Sequence, residues 1–223
     1  MGERQAAAYR AVRERTCDLA RATPPVDLDR IAPATPEWRV RDVLAHLVGV
    51  PADALAGRLD GVATEPWTAA QVDVRRQVSI EALLAEWDEL GPQFEAALVV
   101  MPDALASQAV FDAMTHEADV RQALGVPGGR DCDAVAVAFE FATRGRTAMG
   151  RPAIRVVSET GATISGVGDV QATIEASCFE FVRAIAGRRT AEEIAAYRSD
   201  GVLDPASLLA APIFTMRSTS LHE

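Results

Sequence analysis

Apolar residues recur every three or four positions over most of the first 150 residues, the spacing of amphipathic helices. A further helical stretch over residues 68–100 contains Gly91 and Pro92, and we expect a break there because proline disrupts a helix interior. The other predicted helices cover residues 4–22, 39–49 with a kinked continuation through 52–59, 103–124 and 131–149. The pattern therefore predicts an all-helical domain over residues 1–150.

The pattern changes after residue 150 to short runs rich in β-branched residues. Residues 153–158 and 162–165 are separated by a turn, which predicts a hairpin, and residues 169–175 predict a third strand. A helix over 176–186 and a short last helix follow, the latter opened by the capping-box spacing of Thr190 and Glu193. Residues 151–223 are thus expected to form a small α+β domain.

Composition and charge exclude several classes of partner. The net charge is −10 and all 22 basic residues are arginine, so the chain lacks the basic face that binds nucleic acid or anionic lipid. It has no run of 18 apolar residues and no apolar N-terminal segment, which predicts a cytoplasmic protein without a membrane span. The abundance of arginine and alanine, with no lysine, indicates a GC-rich bacterial gene.

The cysteine and histidine positions narrow the chemistry. The three cysteines are far apart in sequence, which argues against a disulfide framework or a thiolate zinc site. His46 and His116 each lie inside an apolar helical run, and Asp112 shares a helix face with His116 because it precedes it by four positions. These three side chains could bind zinc with one coordination position open. The residues alone leave open two alternatives, satisfied core histidines or an Asp–His pair without metal.

Residues 35–47 read TPEWRVRDVLAHL, and residues 111–125 carry Asp112, His116 and Asp119 before an Ala-Leu-Gly ending. Both segments resemble motifs of the mycothiol-dependent maleylpyruvate isomerase-like family, within the DinB-like metal-dependent superfamily. The resemblance extends over nearly the whole chain. It implies an α+β protein with an N-terminal DinB-like four-helix bundle and a small α/β C-terminal domain.

The resemblance also implies a metal site. In the family, the histidine of the first motif and the acid and histidine of the second bind a divalent metal ion, usually zinc. These positions are His46, Asp112 and His116, with Asp112 standing where the family usually has Glu. Because Asp is one methylene shorter, its oxygen falls about 1.5 Å short unless the helices approach more closely; the alternative is a two-histidine remnant. Asp119 is expected to orient a ligand ring or to pair with an arginine.

The function implied by the resemblance is that of a mycothiol-dependent metalloenzyme. The metal lowers the pKa of the thiol, which then adds to an electrophilic small molecule in isomerase or S-transferase chemistry. Mycothiol is an actinobacterial thiol, in agreement with the GC-rich gene. Two alternatives remain, a noncatalytic metal- or small-molecule-binding protein and a hydrolase using zinc-bound water. Arg76 is a candidate for binding a substrate carboxylate, or else part of a solvated helix face, and we expect a monomer or homodimer.

Overall fold

The structure, a computed structural model, describes residues 2–209 and 214–223 and has the predicted α+β fold. It comprises two compact units, which meet in sequence at Gly129 and Arg130. The helices are α1 (Gly2–Ala22), α2 (Pro25–Leu28), α3 (Val40–Leu55), α4 (Glu65–Arg75), α5 (Ile80–Val100), α6 (Asp103–Leu124), α7 (Asp133–Ala148), α8 (Cys178–Ile185) and α9 (Ala191–Ala196). The strands are β1 (Pro152–Ser158), β2 (Gly161–Ser165), β3 (Val167–Glu175) and β4 (Arg198–Gly201).

The N-terminal unit is built on a bundle of four helices. Helix α1 packs against α5 and α6, α3 packs against the same two helices, and α4 lies along α3. The apolar stripes that predicted these helices meet inside the bundle, where the fully buried side chains include Val12, Leu44, Trp87, Leu98 and Val110. No helix among the described residues has both the length and the apolar character needed to cross a bilayer.

The third predicted helical stretch is divided at a different place than expected. Helix α5 passes through Gly91 and Pro92 without interruption, and the break lies between α4 and α5. Helix α5 begins there because Ser79 caps it, its side chain accepting a hydrogen bond from the Ala82 amide. The predicted break at Pro92 is wrong because buried residues on both sides of it, such as Trp87 and Phe94, hold α5 in the bundle.

The C-terminal unit contains a four-stranded sheet in the order β2-β1-β3-β4. Strands β1 and β2 form the predicted hairpin, whereas β3 pairs parallel to β1 on its other side. The crossing occurs at Gly166, where φ is +115° and an added Cβ would lie 2.5 Å from the carbonyl oxygen of Pro152. Only glycine permits so close a backbone approach at this φ. Strand β4, at the edge beside β3, was not predicted.

The division between the two units lies one helix earlier than the boundary predicted at residue 150. Helix α7 belongs to the C-terminal unit, where it packs against α8 and β2. The rings of Phe139 on α7 and Phe181 on α8 meet edge to face, with their centroids 5.3 Å apart. The helical pattern of α7 is local, whereas its assignment to a unit depends on this packing.

Candidate metal centre

Helices α3 and α6 bring together the three side chains that the sequence singled out. Helix α3 is fixed at its start by Asp42, whose Oδ2 accepts a 2.9 Å hydrogen bond from the Arg39 amide. His46 Nε2 lies 3.4 Å from Asp112 Oδ2, and His116 Nε2 lies 3.7 Å from Asp112 Oδ1. One potential ligand atom from each of the three residues lies within 4.8 Å of the others.

The three side chains differ in burial. His46 and His116 are 2% and 9% exposed, whereas one third of the Asp112 side chain is exposed. Burial lowers the pKa of His116 below its ordinary value, although the hydrogen bond to Asp119 opposes the shift. The imidazole is therefore neutral at physiological pH, the form that offers a nitrogen lone pair to a metal ion.

Asp119 holds the outer nitrogen of His116. The His116 Nδ1 and Asp119 Oδ2 atoms are 3.0 Å apart, and the Asp119 side chain is fully buried. Arg121, which could have paired with Asp119, instead donates to Glu117 through Nε at 2.9 Å. Of the two roles predicted for Asp119, its contact with the ring of His116 is present in the structure, and the part of His116 as a metal ligand stays a prediction. With Nδ1 held by a carboxylate, Nε2 of His116 is left facing Asp112.

The partner of His46 was missed by sequence reasoning. Its Nδ1 lies 2.7 Å from Oε1 of Gln71 on α4, and Gln71 Nε2 donates to Asp53 Oδ2 at 2.8 Å. The buried side of α4 comprises Gln71, Val72 and Arg75, so that Gln71 lies four residues before another buried polar residue. A polar side chain at such a position needs a hydrogen-bonding partner.

An indole ring lies against both histidines. The centroid of the half-buried Trp38 ring is 5.4 Å from that of His46 and 6.1 Å from that of His116. The two imidazoles are themselves 4.9 Å apart at 77°. Trp38 therefore forms an apolar wall of the cluster, and its partial exposure leaves ring surface available to a bound molecule.

The arginine singled out for substrate binding lies at the end of α4. Arg76 has a side chain that is 61% exposed and forms an ion pair with Asp73, so its structural contacts are those of a solvated helix face. The neighbouring Arg75 is buried, donating to Glu86 on α5 and, through Nη1, to the backbone oxygen of Gln71 at 3.3 Å. Arg75 thus fixes the end of α4 close to Gln71, the residue that contacts His46.

Comparison with known proteins agrees with this architecture. Two crystal structures of mycothiol-dependent maleylpyruvate isomerase, one of a histidine-to-alanine mutant, each align over 92% of this chain and 95% of their own. In both cases the TM-score is 0.62 and the sequence identity 12%, a likeness that shows the fold. No significant relative was found among curated proteins. Residues 9–125, just over half of the chain, match the family described as the mycothiol maleylpyruvate isomerase N-terminal domain. The chain belongs to this family, as its two motifs predicted.

Proposed function

We propose that this protein is a mycothiol-dependent metalloenzyme that acts on an electrophilic small molecule. Its metal centre would consist of His46, Asp112 and His116, with zinc or another divalent ion. The observation that carries the proposal is the convergence of these three side chains, with ligand atoms within 4.8 Å of one another. Membership of the family and the mycothiol dependence of the structurally similar isomerase support the choice of thiol.

The donor set fits a divalent ion. Two imidazoles and one carboxylate are the ligands of many catalytic zinc sites, which retain a position for an exogenous ligand. The outer nitrogens of His46 and His116 are both engaged, by Gln71 and Asp119, as is usual for metal-binding histidines. When bound, a divalent ion supplies a positive charge that lowers the pKa of a coordinated thiol.

The chain's own buried cysteines are poor sources of the reacting sulfur. Burial raises the pKa of Cys17 to about 12, so this thiol stays protonated. The pKa of Cys178, in the C-terminal unit, is also raised by burial. A thiolate at the cluster would therefore not come from either of these two cysteines, and we propose mycothiol as its source.

The protein would contribute orientation and a partly apolar environment. Gln71 and Asp119 fix the two imidazole rings, and Trp38 provides a flat wall against which a substrate could pack. Asp112, the most exposed of the three ligands, would face the side from which small molecules enter. Isomerisation of maleylpyruvate is the first reaction to examine, with thiol transfer to other electrophiles as the second.

The test measures metal content and thiol dependence on the same preparation. The untagged full-length protein is expected to bind about one zinc ion per chain and to convert maleylpyruvate, or another electrophile of a panel, only when mycothiol is present. His116→Ala should lose both properties and stay folded, since apolar packing supplies most of the stability of the bundle. His222→Ala, the same change in the C-terminal unit, is the matched control and should behave as wild type.

Three results would contradict the proposal. A metal-free wild type would favour a small-molecule-binding protein without turnover. Turnover without any thiol would indicate a hydrolase that uses metal-bound water. Loss of folding in His116→Ala, seen by circular dichroism, would show that the cluster is structural.

A further inference from the structure

The two imidazoles of the cluster are held by chemically different partners. His116 meets the carboxylate of Asp119, which can only accept hydrogen bonds when ionised, so Nδ1 of that ring must donate. His46 meets the side-chain amide of Gln71, which carries one accepting and one donating atom. An amide can satisfy either tautomer of a histidine, so Gln71 alone does not determine which nitrogen of His46 is protonated.

Asp53 removes this ambiguity. Its Oδ2 accepts a 2.8 Å hydrogen bond from Gln71 Nε2, and its Oδ1 accepts from the Arg58 guanidinium, also at 2.8 Å. A carboxylate paired with arginine is an acceptor only, so Gln71 must turn Nε2 toward Asp53 and Oε1 toward His46. His46 Nδ1 then has to donate, and in the neutral ring the lone pair is on Nε2, the atom 3.4 Å from Asp112.

Packing between α3 and α4 keeps Gln71 in place. Gly49 lies one helical turn after His46, and a Cβ added there would lie 2.5 Å from Cβ of Gln71. Absence of a side chain at residue 49 thus allows the two helices to approach within hydrogen-bonding reach. Arg75 adds a second restraint by donating to the Gln71 backbone oxygen. Gln71 is thus held through both its side chain and its backbone.

We infer that Gln71 is a positioning residue, oriented by Asp53, that selects the Nδ1-protonated tautomer of His46 and so prepares Nε2 for the metal ion. The inference rests on the proposed function for its purpose, although the tautomer itself can be measured without any metal. We call the chain of hydrogen bonds from Asp53 through Gln71 to His46 the relay. It crosses from α3 to α4 and back, so the cluster of α3 and α6 is incomplete without α4.

The experiment is nitrogen-15 NMR of the metal-free full chain with labelled histidine, at a pH of about 8, above the ordinary histidine pKa of about 6.5. In wild type, His46 should show a protonated Nδ1 and an unprotonated Nε2. In Asp53→Asn, the new amide can donate as well as accept, so Gln71 can reverse and His46 should populate both tautomers. Zinc affinity should fall by about tenfold or more in this variant.

Two further variants complete the test. Gln71→Leu removes the amide and should also release the tautomer; because Asp53→Asn keeps Gln71 in its helix contact, it remains informative if Gln71→Leu does not fold. Asp73→Asn, an exposed change on α4 that breaks only the ion pair with Arg76, is the control and should leave His46 unchanged.

A wild-type His46 protonated on Nε2, or a tautomer unchanged by Asp53→Asn, would overturn the inference. These outcomes are separable from failure of the proposed function. If wild type shows the expected tautomer but binds no metal, the relay stands and the metalloenzyme proposal fails. If it binds metal with His46 in the other tautomer, only the relay fails.

Discussion

The Nε2 atom of His46 lies 3.4 Å from Oδ2 of Asp112, although Asp112 is one methylene shorter than the glutamate usual in the family. The shorter side chain therefore reaches the cluster. We therefore propose a complete three-ligand set rather than a two-histidine remnant.

Lengthening the acid should consequently harm the site. Asp112→Glu would place its carboxylate too far forward between helices already positioned for Asp, and ligand distances tolerate only about ±0.2 Å. We expect zinc affinity to fall by about tenfold, measured by competitive titration with a chelating dye. If Asp112→Glu bound zinc tenfold more tightly than wild type, the native site would instead be a two-histidine remnant.

Asp119→Asn tests the partner of the second histidine. The substitution is nearly isosteric but replaces the fully buried carboxylate that holds Nδ1 of His116 with a weaker, neutral partner. Zinc affinity should fall by about tenfold to a hundredfold, with little change in the far-ultraviolet circular dichroism. Asp18→Asn, at an exposed position of α1, is the control. Equal zinc affinities of Asp119→Asn and Asp18→Asn would show that Asp119 does not contribute to metal binding.

Trp38 should report on metal binding by fluorescence. Its ring centroid lies 5.4 Å from that of His46, close enough for a paramagnetic ion such as Co²⁺ at the cluster to quench the indole emission. We expect quenching on Co²⁺ addition to wild type and to Trp67→Phe, and weaker quenching in Trp38→Phe, where the buried indole of Trp87 remains. Undiminished quenching in Trp38→Phe would place the ion elsewhere.

The C-terminal unit should lose stability in acid through Glu180. Burial opposes the charged form of this carboxyl, but hydrogen bonds from Arg189 Nε at 2.7 Å and Tyr197 OH at 2.8 Å outweigh it and lower the Glu180 pKa. Because the folded-state pKa is below the unfolded value, the stabilisation is complete above the ordinary pKa of about 4.3 and disappears as pH falls through the lowered folded value.

Glu180→Gln should therefore destabilise the unit by about 1–2 kcal/mol at neutral pH and by progressively less in acid. Thermal unfolding at a series of pH values, followed by circular dichroism, measures this difference. Glu192→Gln, an exposed change in α9, provides the baseline. A difference in stability between wild type and Glu180→Gln that stays constant with pH would contradict the lowered pKa of Glu180 as its cause.

Features that depend on neighbouring residues were open to sequence analysis. Helical periodicity predicted the main bundle helices, and the β-branched runs predicted the first three strands, because both patterns reflect local backbone geometry and burial on one face. The four-residue spacing of Asp112 and His116 fixed their common face for the same reason. The segment of residues 35–47 resembles a motif of the family, and this resemblance added His46 as the third predicted metal ligand.

Other features were decided only by tertiary packing. Helix α5 continues through Pro92 because the packing of buried residues on both sides outweighs the local cost of proline. Helix α7 belongs to the C-terminal unit because Phe139 packs against Phe181 there. The contact between Gln71 and His46 joins two helices, and its existence depends on how closely α3 and α4 approach at Gly49. Distances of this kind are set by the sum of many side-chain contacts between elements, which no local pattern in the chain encodes.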